Sequence, residues 1–446
     1  MTDLQTRFKT LDTLSAPELW YHIEERALAM QPTRRRSSWV LVVVMLLLVL
    51  AIGGAVLVGS GVIKLPAVVD ASASPSALAQ ESSAATSSPV EVVPASWTAT
   101  GNMIEARDGH TATRLQDGRV LVAGGTGSPT SEFSMNFLAS AEIYDPSSGQ
   151  WSSTGPMTEA RAAHTAVLLS DGKVLVVGGS VCSDFDGCPL FSAELYDPIT
   201  ETWTATQPTT AGGPARTATL LGDGTVLVVG GSIGSLSVGD LEPIGVGELY
   251  HPDTGEWTPT GAMVQPREGH TATALANGSV LVVGGTETGE VYDPSTGQWT
   301  ATGAMAGVRV GHSAALLPDG TVLVAGGMGG TGALALAELY DPETGRWTPT
   351  GDMVEGRIYH KATALADGRV LVTGGIDSVI DAGNLRTSAE VYDPATGQWT
   401  LTESMAVVRN AYTATLLADG TALVAGGSAN GSVFAAAELY DPGSGT

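Results

Sequence analysis

Residues 347–394 open Trp347-Thr348-Pro349-Thr350-Gly351, continue through Met353, Arg357 and His360 to Asp367-Gly368, Val370-Leu371-Val372 and Gly374-Gly375, and close on Ala389-Glu390-Val391-Tyr392-Asp393-Pro394. Each piece has a local reading. The run that begins at the histidine, His110-Thr111-Ala112-Thr113-Arg114-Leu115 in a sister unit, is a short strand. Asp-Gly or Asn-Gly after it is a hairpin signal, and a type I′ turn is expected because that turn needs positive φ twice. Val-Leu-Val is apolar on both faces, as in a strand sandwiched between neighbouring sheets. Gly-Gly ends that strand and lets backbones approach closely. Ala-Glu-x-Tyr-Asp-Pro is a third strand running into a turn, and Gln-Trp-Thr is a fourth, outer strand.

The same string recurs along the chain. Tryptophan returns at Trp97, Trp151, Trp203, Trp257, Trp299, Trp347 and Trp399, about every 50 residues. Four antiparallel strands per unit, repeated seven times around an axis, predict an all-β fold, a seven-bladed β-propeller over residues 96–446. The count also predicts how the ring closes. A Trp strand, residues 96–101, comes before any other strand, and the chain ends at Tyr440-Asp441-Pro442, one Trp strand short. The simplest closure lets the Trp97 strand complete the last blade, which removes the exposed edges that invite aggregation.

The paired glycines (Gly124-Gly125 through Gly426-Gly427), the Glu-x-Tyr-Asp-Pro strand and the spaced Trp carry a resemblance to the kelch-repeat family, over roughly four-fifths of the chain. WD repeats have the same strand count, but their Trp-Asp signature is absent. The resemblance extends distantly to galactose oxidase, a copper enzyme with a kelch-like propeller, and so raises the question of an oxidase. Its site needs two Tyr, two His and a Cys cross-linked to one Tyr. Here the two cysteines, Cys182 and Cys188, share one loop, and no matching constellation is visible. No Ser-His-Asp arrangement, phosphate-binding glycine loop or His-Glu-x-x-His motif is present, so no catalytic residue, metal or cofactor is assigned.

Composition bounds the partners. Gly is 57 of 446 residues without a Gly-X-Y period, which excludes collagen. A net charge of −25 argues against nucleic-acid binding. Nearly all of this acidity lies from Ser96 onward. Residues 39–63 are uncharged and largely Val, Leu, Ile and Ala, long enough to cross a hydrocarbon core of ~30 Å. Arg34, Arg35 and Arg36 precede them and only Lys64 follows, so the positive-inside rule places the N-terminus in the cytoplasm and the propeller outside. A cleaved signal peptide is the rival, with Ala77-Leu78-Ala79 resembling a cleavage site, but the apolar stretch is too long and its leader has 38 residues. The expected order is therefore a cytoplasmic segment, 1–38, with a short helix capped at Ser15, a transmembrane helix, 39–63, a flexible Ala/Ser/Pro-rich linker, 64–95, and the propeller. Outside the membrane Cys182 and Cys188 are expected to form a short-loop disulfide.

Several polar residues recur in register. His110, His164, His270, His312 and His360 share one slot, which Arg216 and Tyr412 fill in two units. A histidine ring suggests a metal, but a repeat copies scaffold residues, and blade symmetry spaces the rings too widely for one ion. Arg107, Arg161, Arg267, Arg309, Arg357 and Arg409 recur with Gly213 in the third unit, and seven Glu recur from Glu142 to Glu438. Opposite charges recurring in register, six Arg against seven Glu, suggest scaffold ion pairs, against an arginine rim that would bind carboxylates.

The second-to-third loops vary most in length and content, and they share one face with the links between blades. Insertions in repeat proteins gather on the binding face. The candidate ligand residues are the non-repeat aromatic and charged ones there: Phe133, Phe137, Asp184, Phe185, Asp186, Phe191 and Arg386, with Asp377 and Asp381 in the same loops. The longest loops are expected over blades one to three. The resulting expectation is a single-pass, membrane-anchored module that binds a protein or glycan outside the cell. A galactose-oxidase-like or sugar-acting enzyme, and a sensor that signals through residues 1–38, are the alternatives.

Overall fold

The computed structural model describes residues 94–131, 134–181, 188–233, 242–330, 332–378 and 384–443. The chain divides into two compact units, 1–86 and 87–446. The first unit, the expected segment 1–38 and the expected span 39–63 lie outside the described residues. Among the described residues no helix is long and apolar enough to cross a membrane.

Seven four-stranded antiparallel sheets make the second unit a β-propeller. Blade one runs inner strand Thr111–Arg114, second strand Val120–Ala123, third strand Ala141–Asp145 and outer strand Gln150–Thr154. The inner strands of blades two to seven are Thr165–Leu168, Thr217–Leu220, Thr271–Ala274, Ser313–Leu316, Lys361–Ala364 and Thr413–Leu416. Each inner strand lies beside the inner strand of the next blade, and the last lies beside the first, so the seven ring an axial channel. Blade seven takes its outer strand from the other end of the chain: Ser96–Ala99 pairs antiparallel with Ala437–Asp441, Trp97 opposite Tyr440.

The second strands are buried on both faces, as their unbroken Val-Leu-Val runs require, and the core lies between blades. Valines 174 and 176 of blade two pack with Leu121 and Ile143 of blade one. Trp indoles fasten the rim: Trp151 donates to the Gly101 carbonyl at 2.7 Å, and Trp97 to the Glu403 carbonyl at 2.7 Å. Each Trp also meets the Tyr opposite it, as Trp151 meets Tyr144 with ring centroids 5.0 Å apart.

The Asp-Gly turns correct one expectation. Gly118 has φ 91° but Asp117 is not left-handed, Gly118 N–H donates to the Leu115 carbonyl, and Leu115 N–H donates to that of Arg119. This is a three-residue hairpin loop with glycine in the bulge, not type I′. The Asp side chain decides it, accepting the Arg119 N–H at 3.0 Å and so closing the loop one residue later.

Candidate functional site: a cleft on the loop face

The recurrent charges are scaffold. Arg107 is fully buried and donates to Glu142 at 2.7 Å and to the carbonyls of Gly124 and Ser140. The same Glu142 accepts the N–H groups of Ile104 and Glu105 from the incoming link. Corresponding pairs form in blades two, four, five, six and seven, from Arg161–Glu194 to Arg409–Glu438. These guanidiniums are wholly covered, so they make no rim for a ligand. Blade three solves the problem differently. Where Gly213 replaces the arginine, Arg216 from the histidine slot reaches Glu248 at 3.1 Å.

The histidines are scaffold as well. Each joins an inner strand to a hydroxyl of the preceding blade: His110 to Thr413, His164 to Thr111, His270 to Thr217, His312 to Thr271 and His360 to Ser313, at 2.7–3.1 Å. Burial, reinforced by the nearby guanidiniums, holds His164, His312 and His360 down at about 3 and His270 at about 4. They are neutral tie-bars between blades. Among the described residues no three His, Cys, Asp or Glu side chains converge as a metal site.

A cleft of about 570 Å³ opens on the face of the second-to-third loops, where blades six, seven and one meet. Blade one contributes Asp108, Thr126 and Met135; blade six contributes Tyr359, Ile376 and Leu385; blade seven contributes Asn410, Asn430 and Val433. Thr126 donates its hydroxyl to Asp108, which fixes that carboxylate against the loop. Asn430 turns the short blade-seven hairpin with φ 50°.

Tyr359 stands out within this lining. It occupies a slot held elsewhere by Gly109, Ala163, Ala215, Gly269, Gly311 and Ala411, and all seven are left-handed, with φ between 52° and 63°. Backbone bonds link the slots from blade to blade, as Tyr359 N–H to the Gly311 carbonyl at 2.8 Å. A bulky residue in this conformation is strained. Its ring lies on Gly311, where an added Cβ would meet ring carbons at 2.8 Å, yet Tyr359 stays 46% exposed. An exposed aromatic held in a costly backbone conformation at the mouth of a cleft is a functional signal.

Of the sequence candidates, Phe133, Asp184, Phe185 and Asp186 lie outside the described residues, as does Asp381. Phe137 is half-buried and pairs with Thr126 in the blade-one hairpin. Phe191 is 44% exposed in blade two, away from the cleft lining. Arg386 pairs with Glu355 at 2.9 Å and with Asp377 at 3.7 Å, which ties down the blade-six loop. Cys188 is disulfide-bonded, and Cys182 lies outside the described residues. The cleft falls over blades six, seven and one, and blade one is among the three over which the longest loops were expected. Tyr359 was findable by aligning the seven slots, since it is the one large side chain among glycines and alanines.

Comparison with known proteins agrees with the repeat. The Kelch motif family matches residues 110–158, 161–208, 309–354 and 357–406. Kelch-like protein 23 of Homo sapiens is 31% identical over 144 residues, 32% of this chain and 24% of that protein. Kelch-like protein 35 of Mus musculus is 26% identical over 191 residues, 43% of this chain and 29% of that protein. The chain therefore spans about a quarter of the length of these curated relatives. Among solved structures, a fungal alcohol oxidase of the AA5 family in complex with copper superposes with a TM-score of 0.63 at 19% identity, covering 79% of this chain and 77% of that one. The protein YjhT superposes with a TM-score of 0.52 at 15% identity, covering 68% and 99%. These two likenesses concern the fold alone. The histidines that could have met copper here are each bonded to a neighbouring blade, so the described residues do not fit such a centre. Four stretches of the propeller match the Kelch motif, and with its Glu-x-Tyr-Asp-Pro strands and seven four-stranded sheets it is similar to the propellers of kelch-repeat proteins.

Proposed function

We propose that this chain is a binding module, anchored by residues 39–63, whose propeller lies outside the cytoplasm and holds a protein or glycan ligand on the second-to-third loop face. The observation that carries the reading is the cleft over blades six, seven and one, with the strained, exposed Tyr359 at its mouth. Apolar side chains dominate the lining and amides edge it, the usual make-up of an interface centre. The uncharged span with its leading arginines supports the anchor and its direction. Further contacts are proposed, on the sequence, from the other second-to-third loops: Phe133, Asp184, Phe185, Asp186, Phe191 and Arg386.

A binding screen of the full chain against glycans, cell-wall fragments and secreted proteins tests the reading. Replacement of Tyr359 and Met135 by Ser should abolish the interaction while the chain stays folded. Equal binding by that variant, or loss on changing the Asp-Gly turns of the opposite face, overturns the assignment. Protease added to intact cells should release the propeller by cutting within residues 64–95. Digestion of residues 1–38 instead would invert the topology.

A further inference from the structure

At five of the seven inner seams a hydroxyl of one blade meets a histidine of the next. Two seams depart from this. Between blades two and three the histidine slot holds Arg216, and its capture by Glu248 explains the change. Between blades six and seven both halves of the tie-bar are replaced together: Lys361 stands where the hydroxyl belongs and Tyr412 where the histidine belongs. The Tyr412 hydroxyl is occupied with Thr373 of blade six. Nothing corresponding occupies Lys361. Its ammonium forms no ion pair or hydrogen bond among the described residues, and the guanidiniums of blades six and seven, Arg357 and Arg409, are already neutralised by Glu390 and Glu438.

Lys361 lies on the inner strand of blade six, so its exposed side chain meets the water of the axial channel rather than the outer surface. This enclosure lowers its ammonium pKa below the ordinary lysine value. Its charge is felt by His110 of blade one and by His360, both neutral. Two residues on, and therefore on the same face of the strand, Thr363 is 6% exposed. Its Oγ1 is buried without a hydrogen-bond partner among the described residues. An ammonium without a counter-charge, two residues from a buried hydroxyl without an acceptor, is an arrangement the scaffold does not need, and the unsatisfied hydroxyl is costly. One ligand class satisfies both: an anion with oxygen acceptors, close to the ammonium and accepting the hydroxyl proton in a hydrogen bond.

We propose that Lys361 and Thr363 form a binding site in the axial channel for one small oxyanion, a carboxylate, phosphate or sulfate group. Neither residue lines the ligand cleft, and the site explains why the hydroxyl–histidine tie-bar was given up at this seam. The chain's net charge of −25 disfavours anions elsewhere on the molecule, so a saturable site is diagnostic.

The test is calorimetric titration of the full chain, purified in detergent, with sulfate, inorganic phosphate and acetate at constant ionic strength. One saturable site per chain is expected for at least one probe. Binding of sulfate or phosphate without acetate identifies a tetrahedral oxyanion, and binding of acetate identifies a carboxylate. Lys361→Thr restores the repeat residue, so it should keep the melting temperature while weakening binding roughly tenfold or more, the loss expected for a charged hydrogen bond. Lys361→Gln serves as the second variant should Lys361→Thr fold poorly, and Thr363→Val should weaken binding with Lys361 in place. Absence of saturable binding for all three probes, or parental affinity in the folded Lys361 variants, overturns the proposal.

Discussion

Arg216 and Glu248 lie 3.1 Å apart, both buried, although Arg216 occupies the slot in which five other blades carry a histidine. The pair shows that the buried glutamate, not the position of the arginine, is what a blade must satisfy. Removing one partner of a buried pair strands the other charge, which costs about 3–5 kcal/mol. Arg216→His should therefore destabilise the propeller by that amount in chemical denaturation, with Arg216→His/Glu248→Gln recovering part of it. Gly213→Arg should not rescue it: Gly213 has φ 121°, and a Cβ there would collide with the Ser232 carbonyl oxygen.

Trp97 packs at a tilt against Tyr440 with centroids 5.1 Å apart and donates to the Glu403 carbonyl. Trp97→Ala should cost about 3 kcal/mol, the lower range for losing a large aromatic, because the side chain is only half-buried. Deletion of residues 96–103 should cost more, since it also removes the buried Met103 and leaves blade seven with an open edge. Thermal unfolding checks both, and an unchanged melting temperature after the deletion would contradict the closure energetics.

The inner histidines set an acid limit. Their folded pKa values lie below the unfolded 6.5, near 3 for His164, His312 and His360 and near 4 for His270, chiefly through burial. The unfolded chain therefore binds protons that the folded chain refuses as pH falls below about 6.5. Their contribution is fully present above that value and is lost progressively towards pH 3–4, at about 1.4 kcal/mol per pH unit for each histidine. Melting temperatures between pH 7 and pH 5 should drop, and His360→Gln should make the drop shallower.

Tyr359→Gly relieves the left-handed strain at φ 57° but gives up the ring's contact with Gly311 and adds chain entropy. Stability should stay within about 1 kcal/mol of the parent. Binding to any ligand found by the screen should fall by an order of magnitude or more. A variant both as stable and as tightly binding as the parent would remove Tyr359 from the site.

The proposed Cys182–Cys188 bond predicts no alkylatable thiol before reduction and two after it, read by mass spectrometry of the intact chain. Two free thiols without reduction would refute the bond and count against the extracytoplasmic placement.

Much of this molecule is legible in its sequence because the repeat states each instruction seven times. The Val-Leu-Val runs, the Gly-Gly pairs and the Tyr-Asp-Pro turns name the strands, and the missing last Trp strand points to where residues 96–99 pair. The recurrent Arg and Glu read as ion pairs because opposite charges recur in register in six of the seven units. The turn type was misjudged because Asp-Gly admits more than one hairpin, and only the Asp117 side chain bonded to Arg119 N–H decides it. The cleft was not legible from loop length, since a site over three blades depends on which loops fold inwards. Its marker was a departure from the repeat, Tyr359, rather than the size of an insertion.

The pairing of Trp97 with Tyr440 also orders events in time. The first strand of the propeller to be made is among the last to find its place, because its partner leaves the ribosome only after six other blades have been synthesised. Until then six blades can stack, but the ring stays an open arc with one strand waiting and one sheet edge unsealed. Closure is thus the contact with the greatest loop to span, and such contacts are slow to form. While the ring is open it presents two sticky edges at once, and blade seven of one copy could then be completed by residues 96–99 of another.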